Sequence, residues 1–227
     1  MFIDYQKAAL IIVDVQNDFC PAYTSGGKSN PEGALAVAGG GEVCAPLNAV
    51  AKDFAGRKGK VIATQDWHPW KHASFASAYP DGKVGDFIAL GSVQSQILWI
   101  DHCVQGSHGA RFHDDLDLDP ADLIIRKGAN PLLDSYSAFF ENDRQTTTGL
   151  DGYLKAFSIS TVFLGGLATD YCVFYSAMDA LRLRYKTYIF TDAVRGVDYP
   201  SGSVEQALDA MEVAGVGMIK TSDILRR

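Results

Sequence analysis

Short apolar runs alternate with segments of helical periodicity along most of this chain, which is the pattern of a parallel sheet covered by helices. AALIIV (8–13), KVIATQ (60–65), DLIIR (122–126) and STVFLGG (160–166) read as strands, and KTYIFTDAV (186–194) and VGMIK (216–220) supply two more. Between them, Val43, Leu47, Val50, Ala51 and Phe54 fall at helical spacing, as do Val204, Ala207, Leu208 and Met211. A helix is expected around Leu150 to Phe157, and another from near Thr169 with Val173, Ala177, Ala180 and Leu181 on one face. The expected architecture is an α/β, Rossmann-like three-layer sandwich: a mainly parallel six-stranded sheet with helices on both faces. Asp14, Asp66 and Lys127 each close one of the strands, and Cys172 lies just beyond a fourth. The carboxyl ends of such strands share one rim, so groups remote in sequence can converge there.

With 227 residues, 47% hydrophobic and 21% charged, the chain can enclose a substantial core and reads as one domain over 1–227. Two stretches break the pattern. Residues 23–41 are polar and Gly-rich, and an excursion at about 66–120 is poor in periodicity but rich in aromatic, His, Gly and Pro residues, as functional loops are. A net charge of -7 argues against nucleic acid or an anionic membrane as partner and favours a small neutral or cationic ligand. No run of eighteen apolar residues occurs, and the start MFIDYQKAALIIVDVQNDF lacks a basic region followed by a cleavable apolar segment, so a cytoplasmic setting is expected. The four irregularly spaced cysteines, with no CxxC pair, read as reduced thiols. Association with copies of itself stays open.

Cys20, Cys44 and Cys103 read as small packed hydrophobes. Cys172 differs, because GLATDYC places it on a strand-to-helix turn after a glycine pair, with Thr169 or Asp170 as a cap. There the unpaired N–H groups of the helix start should lower the thiol's pKa and could hold a developing oxyanion. Asp14 ends an apolar strand, so its charge needs a cation such as Lys127. The three together form a candidate Cys, Asp, Lys centre.

TQDWHPWKHASF holds Asp66, His68 and His72, and WIDHCVQGSHGARFH adds His102, His108 and His113. An Asp-x-His pair on a strand extension points two ligands to one side, and a third His could complete a carboxylate-plus-imidazole site for one divalent metal, with zinc, iron and manganese all suited. Trp67, Trp70 and Trp99 interleave with these groups. They read either as core or lid packing or as an aromatic slot for a flat heteroaromatic ring.

IIVDVQNDFC, ATQDWHPWKHASFA, DHCVQGSHGARFH, IIRKG followed by YSAFF, and GLATDYCV occur in that order, and the set resembles the successive signatures of nicotinamidases within the isochorismatase-like cysteine hydrolases. The resemblance implies a catalytic triad of Asp14, Lys127 and Cys172 and a metal, zinc before iron or manganese, on Asp66, His68 and His102. It also implies a cis peptide between Leu167 and Ala168 that turns the Ala168 and Cys172 N–H groups toward a substrate oxygen. Phe19, Trp99 and Tyr136 would line the ring pocket. Relatives differ on a ligand at the place of His72, which stays open. One departure is visible: relatives usually carry Trp-Pro before Asp-His-Cys, whereas Trp99 here precedes Ile100, which puts the rigidity of that loop in question. The implied reaction converts nicotinamide to nicotinic acid and ammonia through a Cys thioester, in NAD salvage. The alternatives are a sibling amidase for a carbamoyl, ureido or maleamate substrate, isochorismatase itself, and a non-catalytic binding protein on the same fold.

Overall fold

The computed structural model describes residues 3–225. In chain order the elements are β1 (Ala8–Val13), the short strands β2 (Tyr23–Ser25) and β3 (Lys28–Asn30), α1 (Cys44–Gly56), β4 (Lys60–Asp66), β5 (Phe87–Leu90), β6 (Val93–Ile97), β7 (Leu123–Lys127), α2 (Leu150–Ala156), β8 (Thr161–Leu167), α3 (Phe174–Arg182), β9 (Lys186–Arg195), α4 (Ser203–Ala214), β10 (Gly217–Ile219) and α5 (Ser222–Leu225). Six strands form one sheet in the order β10-β9-β8-β1-β4-β7, and every pairing in it is parallel. β2–β3 and β5–β6 are separate antiparallel hairpins.

All six residues of β1 are buried, as expected of a central strand covered on both faces. Leu10 and Ile12 pack with Leu47, Val50 and Phe54 of α1 and with Ile224 of α5. Ile11 and Val13, pointing the other way, pack with Leu150 and Leu154 of α2, Ala177 and Ala180 of α3, and Met211 of α4. The sheet is thus the middle of three layers, as the alternation of strand and helix predicts. Among the described residues no helix is long and apolar enough to cross a membrane.

Two local features differ from the sequence reading. The helix expected from Thr169 begins as a single wide turn with π-type bonding over Thr169–Val173, and the regular α3 follows it. The two irregular stretches each contain a short hairpin, β2–β3 and β5–β6, whose strands are largely solvent-accessible.

Candidate active site

The strand register builds the first half of the site. Asp66, the last residue of β4, sits opposite Lys127, the last residue of β7, while Val13 of β1 sits opposite Gly166 of β8. Asp14 follows β1 in a left-handed conformation, φ +45°, that a non-glycine residue adopts only when its surroundings enforce it. Thr64 does so from both sides: its Oγ1 accepts the Asp14 N–H at 3.1 Å and donates to Asp14 Oδ1 at 2.6 Å.

Lys127 Nζ is the hub. It lies 2.8 Å from Asp14 Oδ2 and donates to Asp66 Oδ1 at 3.0 Å, the Ser135 carbonyl at 2.8 Å and Cys172 Sγ at 3.4 Å. Asp14, Lys127 and Cys172 therefore meet, and all three are buried. Burial works against the ammonium charge, but Asp14 and Asp66 outweigh it and hold the Lys127 pKa well above the usual lysine range. Burial raises the Asp14 carboxyl despite Lys127 beside it. Asp14 Oδ2 has the lysine charge next to it but no well-directed donor, so a lone pair stays available for a proton. The Cys172 thiol departs from the sequence expectation. Burial pushes its pKa well above the ordinary thiol value, and the pull of Lys127 only partly offsets this, so the turn does not by itself yield a thiolate. A base must take the proton.

The Leu167–Ala168 peptide is cis. In the turn that follows, the N–H groups of Tyr171 and Val173 both fold back on the Ala168 carbonyl. Ala168 and Cys172 line a small cavity.

Asp66, His68 and His102 also converge there. Their ligating atoms lie within 4.8 Å of one another, with His68 Nε2 2.9 Å and His102 Nε2 3.5 Å from Asp66 Oδ2. The far side of each ring shows why. His68 Nδ1 faces the Gly128 carbonyl at 3.0 Å and His102 Nδ1 faces the Ile100 carbonyl at 2.8 Å. A carbonyl only accepts, so both Nδ1 atoms carry a hydrogen, and both rings turn Nε2 toward one carboxylate oxygen. A carboxylate and two Nε2 atoms brought this close attract positive charge, and carbonyl-backed imidazoles are the usual support of a metal ligand. The donor set fits a divalent metal. Burial opposes a charge on His68, yet Asp66 lifts its pKa to about 9, a measure of how strongly the cluster attracts positive charge. Gly128 is required in this arrangement: its φ is +64°, and a Cβ there would come within 2.5 Å of the His68 ring.

His72 stands with His68 and Asp134 in a second buried group whose ligand atoms converge, but both of its nitrogens have protein partners. Its Nε2 donates to the Asn130 carbonyl at 2.7 Å, and its Nδ1 accepts from Ser74 Oγ at 2.7 Å. His108 braces Asn30, and His113 stacks on Tyr23 with ring centroids 3.6 Å apart. Ile100 does not loosen its loop. Trp99 N–H bonds to the Ser74 carbonyl at 2.8 Å and Cys103 N–H to Asp18 Oδ2 at 2.7 Å, so the segment is pinned on both sides of His102.

The cavity, of ≈ 30 Å³, is lined by Phe19, Trp99 and Tyr136 as expected, together with Asp66, His102, Ala168 and Cys172. Leu35, Asp134, Tyr171 and Val197 complete the wall and were not legible as site residues. Asp134 is the most consequential addition. It is buried, and its Oδ1 lies 3.8 Å from His68 Nε2. The one hint in sequence is an acidic residue two positions before Tyr136 in LLDSYSAFF. Gln16 is a second omission: its Nε2 donates to the Asp66 carbonyl at 2.8 Å and its Oε1 accepts the Asp66 N–H at 2.7 Å, fixing the backbone that carries the ligand.

The isochorismatase-domain family model matches residues 8–223, nearly the whole chain. The chain belongs to the isochorismatase family. A nicotinamidase from Acinetobacter baylyi is 43% identical to this isochorismatase-family chain over 219 residues, 96% of the chain and 95% of the relative. The solved structure of a nicotinamidase and pyrazinamidase from Acinetobacter baumanii superposes with a TM-score of 0.88 at 44% identity, covering 98% of this chain and 100% of that one. A pyrazinamidase from Pyrococcus horikoshii, solved in complex with zinc, reaches a TM-score of 0.72 at 31% identity, covering 94% and 99%.

Proposed function

We infer that this chain is a nicotinamidase: it hydrolyses the carboxamide of nicotinamide to nicotinic acid and ammonia through a thioester on Cys172, and so serves NAD salvage. The observation that carries the reading is the meeting of Asp14, Lys127 and Cys172 around one ammonium nitrogen, 2.8 Å from carboxylate and 3.4 Å from sulfur, at the edge of an aromatic-walled cavity.

Asp14 is the base. Its raised pKa suits a group that first takes the Cys172 proton and later returns one, and Lys127 keeps the pair oriented and balances the charge that moves between them. The sulfur attacks the carboxamide carbon, and the electron pair of the C=O bond moves to oxygen, where the Ala168 and Cys172 N–H groups can receive it. Collapse of this adduct breaks the C–N bond, and the nitrogen leaves as ammonia with the proton from Asp14. A water then gives its proton to Asp14 and its oxygen to the thioester carbon, releasing nicotinic acid and returning the thiol. Phe19, Trp99 and Tyr136 hold the ring between aromatic faces.

Asp66, His68 and His102 would hold the metal, for which zinc is the first choice, in line with the zinc complex of the Pyrococcus horikoshii relative, and iron or manganese also fits the donor set. When bound, the ion supplies Lewis-acid charge beside the substrate ring. The four cysteines stand free, which suits a reducing, cytoplasmic setting.

The test is ammonia release by purified protein from nicotinamide and from a panel of aliphatic amides, before and after chelation and metal addition. Metal-dependent preference for nicotinamide is the expected result. Equal or better turnover of a carbamoyl or ureido substrate, indifferent to chelation, would replace this reading with that of a sibling amidase.

A further inference from the structure

The β5–β6 hairpin carries none of the groups named in the reaction, and much of it is exposed, with Phe87 66% accessible. Gln96 near its end is a polar residue buried almost completely, at 1%. Its Oε1 accepts from Asn142 Nδ2 at 2.9 Å, and its Nε2 faces Asp134 Oδ2 at 2.9 Å, the Tyr136 hydroxyl at 3.0 Å and the Ile97 carbonyl at 2.9 Å. Asn142 Oδ1 in turn accepts the Tyr136 N–H at 2.9 Å, and its own N–H bonds to the Asp134 carbonyl at 2.7 Å. The three residues Asp134 to Tyr136 are thus held by their side chains through Gln96 and by their backbone through Asn142.

Two consequences bear on the pocket. The Tyr136 hydroxyl oxygen accepts from Trp99 Nε1 at 2.9 Å and shares the two hydrogens of Gln96 Nε2 with Asp134 and the Ile97 carbonyl, so both neighbours fix where the phenol sits. With Asp134 Oδ2 committed to Gln96, Oδ1 is turned toward the Ser135 N–H and His68. One neutral amide therefore sets the edge of an aromatic wall and the direction of a carboxylate that faces the histidine cluster.

We propose that Gln96 is a positioning residue for the substrate ring, acting through Tyr136 and Asp134. The proposal rests on the nicotinamidase reading for its substrate. Among neutral side chains of this length only glutamine both donates to the carboxylate and phenol and accepts from Asn142, whereas glutamate would set a second carboxylate against Asp134.

The experiment compares Gln96→Met, which keeps the shape and removes every bond, with wild type. KM for nicotinamide should rise about tenfold, the worth of a lost hydrogen bond to a charged group, while kcat changes by less than about threefold. In a double-mutant cycle Gln96→Met and Tyr136→Phe should be non-additive. An unchanged KM with kcat reduced in step with the folded fraction, or full additivity, overturns the proposal. Should Gln96→Met fail to fold, Asn142→Asp replaces it. That variant keeps the acceptor for Tyr136 N–H but drives the Gln96 amide to turn round, and the same rise in KM is expected. Trp99 emission, isolated in a Trp67→Phe/Trp70→Phe background, should move to longer wavelength in Gln96→Met, and an unmoved emission counts against the proposal. This readout needs no substrate, so a wild-type protein inactive on nicotinamide would end the reading of function while the emission still decides the role of Gln96.

Discussion

The rim of the sheet and the irregular excursion reach the same cavity by opposite means. Asp14, Asp66 and Lys127 stand where β1, β4 and β7 end, and Cys172 stands one turn beyond β8, so the ladder of parallel hydrogen bonds fixes their relative heights. Trp99 and His102 come from a segment without regular structure and are held by single polar contacts, chiefly Asp18, which takes the N–H groups of Cys103 and Ala34 on its two oxygens. The first arrangement is stiff and cheap to encode. The second is adaptable and depends on a few residues, which is why binding surfaces are usually built on loops and reacting groups on scaffold ends.

The largest effect that would break this comparison lies at the rim. Asp14→Asn leaves the strand end in place and removes the base, so kcat should fall by about 10²–10⁴, read by ammonia release at saturating nicotinamide. Lys127→Met strands Asp14 and Asp66 as buried charges without their cation, and should destabilise the fold by about 3–5 kcal/mol in denaturant titration besides abolishing turnover. On the excursion side, Asp18→Ala leaves the N–H of the buried Cys103 without its acceptor and should cost about 1–3 kcal/mol. It should also weaken zinc binding about 10–100-fold, read by competition with a chelator, because His102 loses its support. If Asp18→Ala proved as damaging to stability as Lys127→Met, the contrast between stiff rim and pinned loop would fall.

A smaller effect concerns pH. Burial raises the Glu141 pKa from the usual carboxyl value to about 7, and its Oε2 has no partner among the described residues. A raised folded-state pKa means that the native state binds the proton more tightly, so this group's contribution is fully present below its unfolded value near 4.5 and is lost as pH rises through about 7. Glu141→Gln should flatten the fall in melting temperature over that window. An unchanged slope would show that other groups set it.

What was legible in the sequence follows the same division. β1, β4 and β8 are near-continuous apolar runs because both faces of the sheet are covered, and the apolar stripes of α1 and α4 repeat at helical spacing, so the sheet and the strand-end residues could be read directly. β2 and β3 are three-residue, largely exposed strands with no alternation to detect. Gln16, Gln96 and Asp134 are polar residues whose meaning lies in partners some 38 to 50 positions away, which no local pattern encodes. The Cys172 thiol shows the limit of a local electrostatic argument. The thiol at the turn that should favour a thiolate is itself buried, and desolvation outweighs the pull of Lys127.

Ammonia release from nicotinamide by the wild-type protein and by Cys172→Ala, measured side by side with nicotinamide binding to the variant by calorimetry, tests the covalent role of that sulfur most directly. The account predicts turnover in the first, none above background in the second, and binding retained in both. A Cys172→Ala protein that still releases ammonia at the wild-type rate would contradict it.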